Sequence, residues 1–198
     1  MTHASPSNGS TPPVIDGGLY RAVMRRLAGG VVVVTAGCED DISGMTISSL
    51  ISLSASPPRT LISVNRESSS LSLIARERRL GLNILSASQD SIAARFSNRS
   101  LPGPQRFDGL LWHRGRSGLP LLTATVASLE CAVEEIIERH SHALIIGTPI
   151  EADLSGELSS LAYWNRDYLG IFDDPDLSRI ADVSLPSVPR LTRREAEH

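Results

Sequence analysis

At 198 residues with a formal net charge of −3, the chain is long enough to bury one sizeable core and has no basic excess for nucleic acid or an anionic membrane. All 19 cationic side chains are arginine, which excludes lysine Schiff-base chemistry and any lysine-dependent phosphate loop. Cys38 and Cys131 are far apart in the chain, suit neither a disulfide framework nor a zinc site, and read as inert thiols.

Residues 1–16 are rich in Ser, Thr, Pro and Gly and are expected to be disordered. They contain neither a basic nor an apolar region, so no secretory signal is expected, and no run approaches transmembrane length. A cytoplasmic protein is expected, and the sequons at Asn8 and Asn98 are chance matches. "LYRAVMRRLAGG" (19–30) places Leu19, Val23 and Leu27 on one helical face, with Gly29-Gly30 ending the helix. "VVVVTAG" (31–37) reads as a buried β-branched strand, and "CEDDISG" (38–44) as a hairpin turn. "MTISSLISLSA" (45–55) reads as one bending strand, broken by Pro57-Pro58, and "TLISVN" (60–65) as the next.

"SSSLSLIARERR" (68–79) opens with capping serines and shows Leu71, Ile74 and Ala75 on one face, which predicts a short helix. "LGLNILS" (80–86) is a strand. "SASQDSIAARFSN" (86–98) is a helix capped at Ser86 or Ser88, with Ile92, Ala93 and Phe96 on one side. A Pro-containing loop (100–109) follows. Residues 110–115, 124–139 and 142–154 are strand-like, the second fitting two strands or one long bent strand equally well. Residues 159–172 close a single domain over 17–172. The acidic-then-basic stretch 173–198 is a solvated arm. Strands seldom alternate one-to-one with helices, so a small closed barrel with peripheral helices is favoured over a doubly wound parallel sheet.

No dinucleotide fingerprint, P-loop, nucleophile elbow or metal-binding spacing occurs. His140 and His142 share a face in "RHSHAL", yet no third ligand is near, so no metal is expected. What remains is a set of hydroxyls and Asn at strand ends, several Arg and one His pair. Such groups can hold a polar, phosphorylated, planar ligand through many modest hydrogen bonds.

From "LAGGVVVVTA" the blocks run through "GMTISSLISLSASPP", "LISVNRESSS", "LGLNILSASQ" with "AARF", "QRFDG", "HALIIGTPIEA" and "LAYWNRDY". In this order and spacing the chain resembles the short-chain flavin reductase family, the reductase components of two-component flavin-dependent monooxygenases. The resemblance covers about residues 18–172. It implies a mainly β fold with peripheral helices, a split β-barrel of the FMN-binding kind. It further implies a homodimer that uses NADH or NADPH to reduce FMN or FAD and passes reduced flavin to a monooxygenase.

On the same resemblance, Met45, Thr46, Ile47, Ser48 and Ser49 lie along the flavin ring edge and ribityl chain. Strand hydroxyls suit that place, since they stabilise charge on a reduced flavin without adding a titrating group. Asn65, Arg66, Ser68, Ser69 and Ser70 match the following turn, where hydroxyls and helix N-terminal N–H groups form a phosphate site. Ordinary N-capping explains the serines too. Arg79 is a phosphate contact or a charged helix end, and Asn83 and Leu85 match a family Asn-x-Leu lining the flavin pocket. Phe96, Arg106 and Phe107 read as packing that pins a loop. His142 matches the His of a Gly-Asp-His triplet that places the nicotinamide nucleotide, but the triplet here is His140-Ser141-His142. Tyr168, with Tyr163 and Arg166, falls in the closing segment that flanks the nucleotide site.

The expected activity is hydride transfer from NAD(P)H to flavin, which needs positioning rather than a nucleophile–base pair. The lost Asp keeps a second reading open: a flavin-binding barrel without NAD(P)H turnover, serving as electron carrier or assembly partner. A third is an oxidase that retains its reduced flavin.

Overall fold

The computed structural model describes residues 14–156 and 158–172. The expectations for 1–13 and for the arm 173–198 lie outside the described residues. The elements are α1 (Gly17–Met24), β1 (Gly29–Gly30), β2 (Val32–Cys38), β3 (Asp41–Ile47), β4 (Ile51–Ala55), β5 (Pro58–Asn65), α2 (Ser69–Glu77), β6 (Arg79–Ile84), α3 (Asp90–Ser97), a 3-10 turn (Pro104–Phe107), β7 (Trp112–Arg114), β8 (Pro120–Leu122), β9 (Ala127–Arg139), β10 (His142–Leu154), β11 (Ser159–Trp164) and β12 (Asp167–Phe172). The fold is mainly β with few helices, and every strand pair is antiparallel.

Seven strands form one sheet in the order β3-β2-β6-β9-β10-β5-β4. Consecutive strands β3 and β4 therefore sit at its two opposite edges, yet only Ser48–Leu50 separate them. Seven strands laid flat would hold those edges roughly 29 Å apart. The link from Ile47 to Ile51 reaches about 15 Å at most. The sheet must therefore curl until its edges are neighbours. The edges do not pair with each other among the described residues, so the expected closed barrel does not form. The single strand expected over 45–55 is also corrected: it breaks at Ser48–Leu50, where the chain changes edges.

The run of valines explains the core. Val32, Val34 and Ala36 point into one apolar cluster with Ile62, Ile74, Leu82 and Cys131. Val31 and Val33 point into a second with Leu85, Phe96, Phe107 and Leu161. A strand buried on both faces reads as continuous apolar residues rather than alternation. α2 covers the first cluster with Leu73 and Ile74, and α3 covers the second with Ala93 and Phe96. Ala75, expected on the inner face of α2, is exposed. The α3 cap is Gln89 rather than a serine, and its Oε1 accepts from the Ser86 N–H at 3.0 Å. Residues 127–139 settle as one long strand with bulged pairing to β10.

α1 is shorter than expected and begins earlier. Asp16 caps it, its Oδ2 accepting from the Gly18 and Leu19 N–H groups at 2.7 and 3.0 Å. Gly29-Gly30 does not end this helix but pairs with Tyr163 and Ala162 of β11. None of the residues of α1 is buried, so Leu19 and Val23 form an exposed apolar face. Among the described residues, no helix is long and apolar enough to cross a membrane.

Candidate functional site

The crossover at Ser48–Leu50 leaves a cleft of about 540 Å³ between the end of β3, the end of β5, the start of α2 and the loop after α3. Seven of its lining residues carry a hydroxyl: Thr46, Ser48, Ser49, Ser63, Ser68, Ser69 and Ser97. Met45, Ile47, Asn65 and His142 also line it. Nine of the residues singled out in the sequence thus meet around one cavity: Met45, Thr46, Ile47, Ser48, Ser49, Asn65, Ser68, Ser69 and His142.

The hydroxyls are not equivalent. Thr46 Oγ1 donates to the Ala93 carbonyl at 2.7 Å, tying β3 to α3. Ser49 Oγ donates to the Ser63 carbonyl at 2.8 Å and accepts from the Ser63 N–H at 3.3 Å. Its one proton is spent, so it offers a ligand only a lone pair. Ser68 caps α2, accepting from the Ser70 N–H at 3.3 Å, and its hydroxyl lies 3.1 Å from the Met45 sulfur. Ser48 is exposed, and its hydroxyl has no partner among the described residues. Asn65 shapes the turn into α2, its Oδ1 accepting from the Glu67 N–H at 2.9 Å. His142 starts β10 directly across from Asn65 in the β5–β10 pairing, with its Nδ1 2.8 Å from Ser141 Oγ.

Six sequence candidates lie elsewhere. Asn83 is fully buried: its Nδ2 donates to the Val33 carbonyl at 2.9 Å and to Thr35 Oγ1 at 3.3 Å, and its Oδ1 accepts from the Leu122 N–H at 2.8 Å. With donors and acceptor satisfied internally, it pins β8 to the sheet instead of facing the cleft. Leu85 is fully buried in the second core cluster. Ser70 is buried one residue inside α2, with its Oγ 2.9 Å from Ser43 Oγ. Arg66 turns outward to Glu138, Nη2 to Oε2 at 2.6 Å, and its Nη1 donates to the His140 carbonyl. Arg79 borders a separate depression with Arg116 and Glu151. Tyr168 lines a smaller cleft of about 210 Å³ with Tyr163, their rings 5.4 Å apart. The two clefts share Thr46, Ile47, Ser48 and Ser97, so Tyr168 stands beside the main cleft, not in it. Burial pushes its phenol pKa up.

The cleft also holds residues that sequence reasoning missed or gave only to packing. Ser63 hides in the alternation of β5, while Glu67, Ser97 and Arg99 lie in turns that carry no motif. Phe96 and Arg106, read as loop packing, line the cleft as well. Gly44 makes room for both. A Cβ there would sit 2.7 Å from the Phe96 ring and 2.9 Å from the Val34 carbonyl oxygen, so only glycine lets the ring lie against β3. The Gly44 carbonyl then accepts from Arg106 Nη1.

The donor set fits a flavin. The volume lies within the range of small-molecule sites. One wall supplies neutral hydroxyls and strand-end amides. The opposite corner supplies arginine side chains and a helix N-terminus, as a phosphorylated planar ligand requires. Among the described residues no cluster of His, Cys, Asp or Glu could hold a metal.

Known proteins agree in sequence and in fold. Residues 24–171 match the model of the flavin reductase like domain. A flavin reductase (NADH) of Kitasatospora aureofaciens is 32% identical over 79% of this chain and 83% of its own. The NADH:FAD oxidoreductase SgcE6 of Streptomyces globisporus C-1027, solved with NAD and FAD fragments, superposes with a TM-score of 0.75 at 28% identity, covering 83% of this chain and 99% of that one. The styrene monooxygenase flavin reductase of Pseudomonas putida S12 superposes with a TM-score of 0.68 at 28% identity, covering 77% of this chain and 96% of that one. Matched across most of its length in sequence, and alike in fold, the chain belongs to the flavin reductase-like domain family.

Proposed function

We propose that this chain is an NADH-dependent flavin reductase that takes flavin into the 540 Å³ cleft, reduces it, and supplies it to a partner monooxygenase. The carrying observation is the cleft itself: seven hydroxyls converge on a planar-ligand-sized cavity in a member of this family. When bound, flavin supplies the hydride-accepting ring nitrogen. The chain's residues position and stabilise. Ser48, with an uncommitted hydroxyl, donates to the ring edge. Ser49 and Thr46 hold the crossover in place through Ser63 and Ala93. Ser68 and Ser69 at the α2 N-terminus face the phosphate. His142, at the rim and oriented by Ser141, steadies the nicotinamide nucleotide. Such contacts are individually modest, which suits a flavin that must leave after reduction.

Finer features belong to the same reading. Both FMN and FAD fit the cleft, with NADH preferred over NADPH as donor on the names of relatives. The curled sheet with unpaired edges is read as a split barrel. A homodimer is supported by apolar surface left uncovered in one chain: Leu19, Tyr20 and Val23 on α1, and Leu169, Ile171 and Phe172 on β12. A cytoplasmic setting suits an enzyme that consumes NADH.

The experiment is NADH oxidation by purified protein, followed by loss of nicotinamide absorbance, with FMN, FAD or neither added. Oxidation that depends on added flavin is the expected result. Flavin binding without oxidation would favour the carrier reading, which the serine of His140-Ser141-His142 motivates.

A further inference from the structure

One group in the cleft has a charge that the chain does not balance. Arg106, in the 3-10 turn, is 6% exposed. Its Nη1 donates to the Gly44 carbonyl. Nε is buried with no partner, and no hydrogen bond involves Nη2 among the described residues. No ion pair joins Arg106 to any described carboxylate. Burial lowers its pKa, but a guanidinium stays protonated, so the charge remains. A buried, unpaired cation is costly unless something neutralises it.

Its position says where the neutralising group sits. The carbonyl that Arg106 holds belongs to the residue after Ser43, whose Oγ lies 2.9 Å from Ser70 Oγ and 3.4 Å from Ser69 Oγ in the first turn of α2. Arg106 and the positive end of α2 therefore flank one corner of the cleft, which both Arg106 and Ser69 line. Arg99, exposed and without an ion pair among the described residues, lines the same cleft. The acidic residue there, Glu67, is exposed and makes no ion pair with either arginine.

We propose that Arg106, assisted by Arg99, makes the cleft charge-selective: it admits flavins that carry a phosphate, FMN or FAD, and discriminates against uncharged riboflavin. This rests on the flavin reading above and names its substrate class. Riboflavin would leave the guanidinium desolvated and unpaired; a phosphate would accept from Nε or Nη2 through charge-assisted hydrogen bonds. Arg106 is thus a specificity-determining residue, not packing alone.

The test is flavin-fluorescence titration of the full chain with riboflavin, FMN and FAD. Wild type should bind FMN more tightly than riboflavin by roughly tenfold or more, the worth of a hydrogen bond to a charged group. Arg106→Met should close most of that gap by weakening FMN while riboflavin affinity holds. Arg99→Gln should narrow it less. An undiminished gap in Arg106→Met, or equal affinities in wild type, would overturn the proposal. If Arg106→Met does not fold, as judged by circular dichroism, inorganic phosphate decides with wild type: it should compete with FMN and spare riboflavin. Competition against neither, or against both equally, would overturn the selectivity. Binding of no flavin at all would instead sink the flavin reading beneath it.

Discussion

Ser49 and Ser63 exchange two hydrogen bonds, Oγ to carbonyl at 2.8 Å and N–H to Oγ at 3.3 Å, and so fasten the edge-to-edge crossover to β5. Ser48, its neighbour, spends its hydroxyl on nothing within the described chain. The pair therefore separates building from binding. Ser49→Ala should cost about 1–2 kcal/mol of stability, since two bonds vanish and the Ser63 backbone groups lose partners. Ser48→Ala should leave the urea midpoint within about 0.5 kcal/mol of wild type, as for an exposed side chain, yet weaken FMN binding several-fold. Unfolding curves and FMN titrations on both variants check this. A Ser48→Ala variant with unchanged affinity would remove Ser48 from the flavin contacts.

Gly44 supports a sharper packing prediction. Its absent Cβ leaves space already filled by the Phe96 ring, 2.7 Å from where that atom would be. Gly44→Ala should destabilise the protein by about 1–3 kcal/mol through overpacking. It should weaken FMN binding too, because the Gly44 carbonyl holds Arg106. Combining it with Phe96→Leu should cost less than the sum of the two, since the smaller side chain vacates the contested volume. Strict additivity in the double variant would show that the clash is relieved elsewhere.

What was readable before folding, and what was not, follows from how each residue is satisfied. The valines of β2 and the hydroxyls around Thr46 to Ser49 and Ser68 to Ser69 declared themselves by type and spacing, because burial and capping are local properties. The break at Ser48–Leu50 did not, because alternation along a strand is blind to the edge on which the strand lies. Asn83 misled for a related reason: a strand asparagine with its amide spent on Val33, Thr35 and Leu122 looks in sequence the same as one awaiting a ligand. Arg106 misled in the opposite sense. A lone arginine in a Pro-containing loop reads as solvated or packing, and only the fold reveals that it is buried without a carboxylate.

Cys131 supplies a pH dependence. The thiol is fully buried in the first core cluster, and desolvation pushes its pKa from an ordinary 9.0 up to about 11. Above pH 9 the unfolded chain sheds this proton while the folded one keeps it. The folded state then holds more protons, so stability falls as pH rises through that interval. The loss is on the order of 2 kcal/mol between pH 9 and 11. Cys131→Ala, compared with wild type by chemical denaturation across that range, should lose less stability with rising pH. Parallel curves would mean that the thiolate is better accommodated than its burial implies.

His142 tests the division of the cleft between flavin and nucleotide. The imidazole is exposed at the start of β10, across from Asn65 and held by Ser141 Oγ, so its removal should leave folding within about 0.5 kcal/mol of wild type. In His142→Ala the NADH KM should rise or kcat fall several-fold, while FMN affinity stays near wild type, because Ser48, Ser68 and Ser69 do not depend on the ring. Steady-state kinetics at saturating FMN, paired with FMN titration without NADH, separate the two effects. If FMN affinity collapses while NADH parameters hold, His142 belongs to the flavin half of the cleft. The nucleotide must then approach from the Tyr163–Tyr168 side, where the neighbouring cleft shares Thr46 and Ser48 with this one.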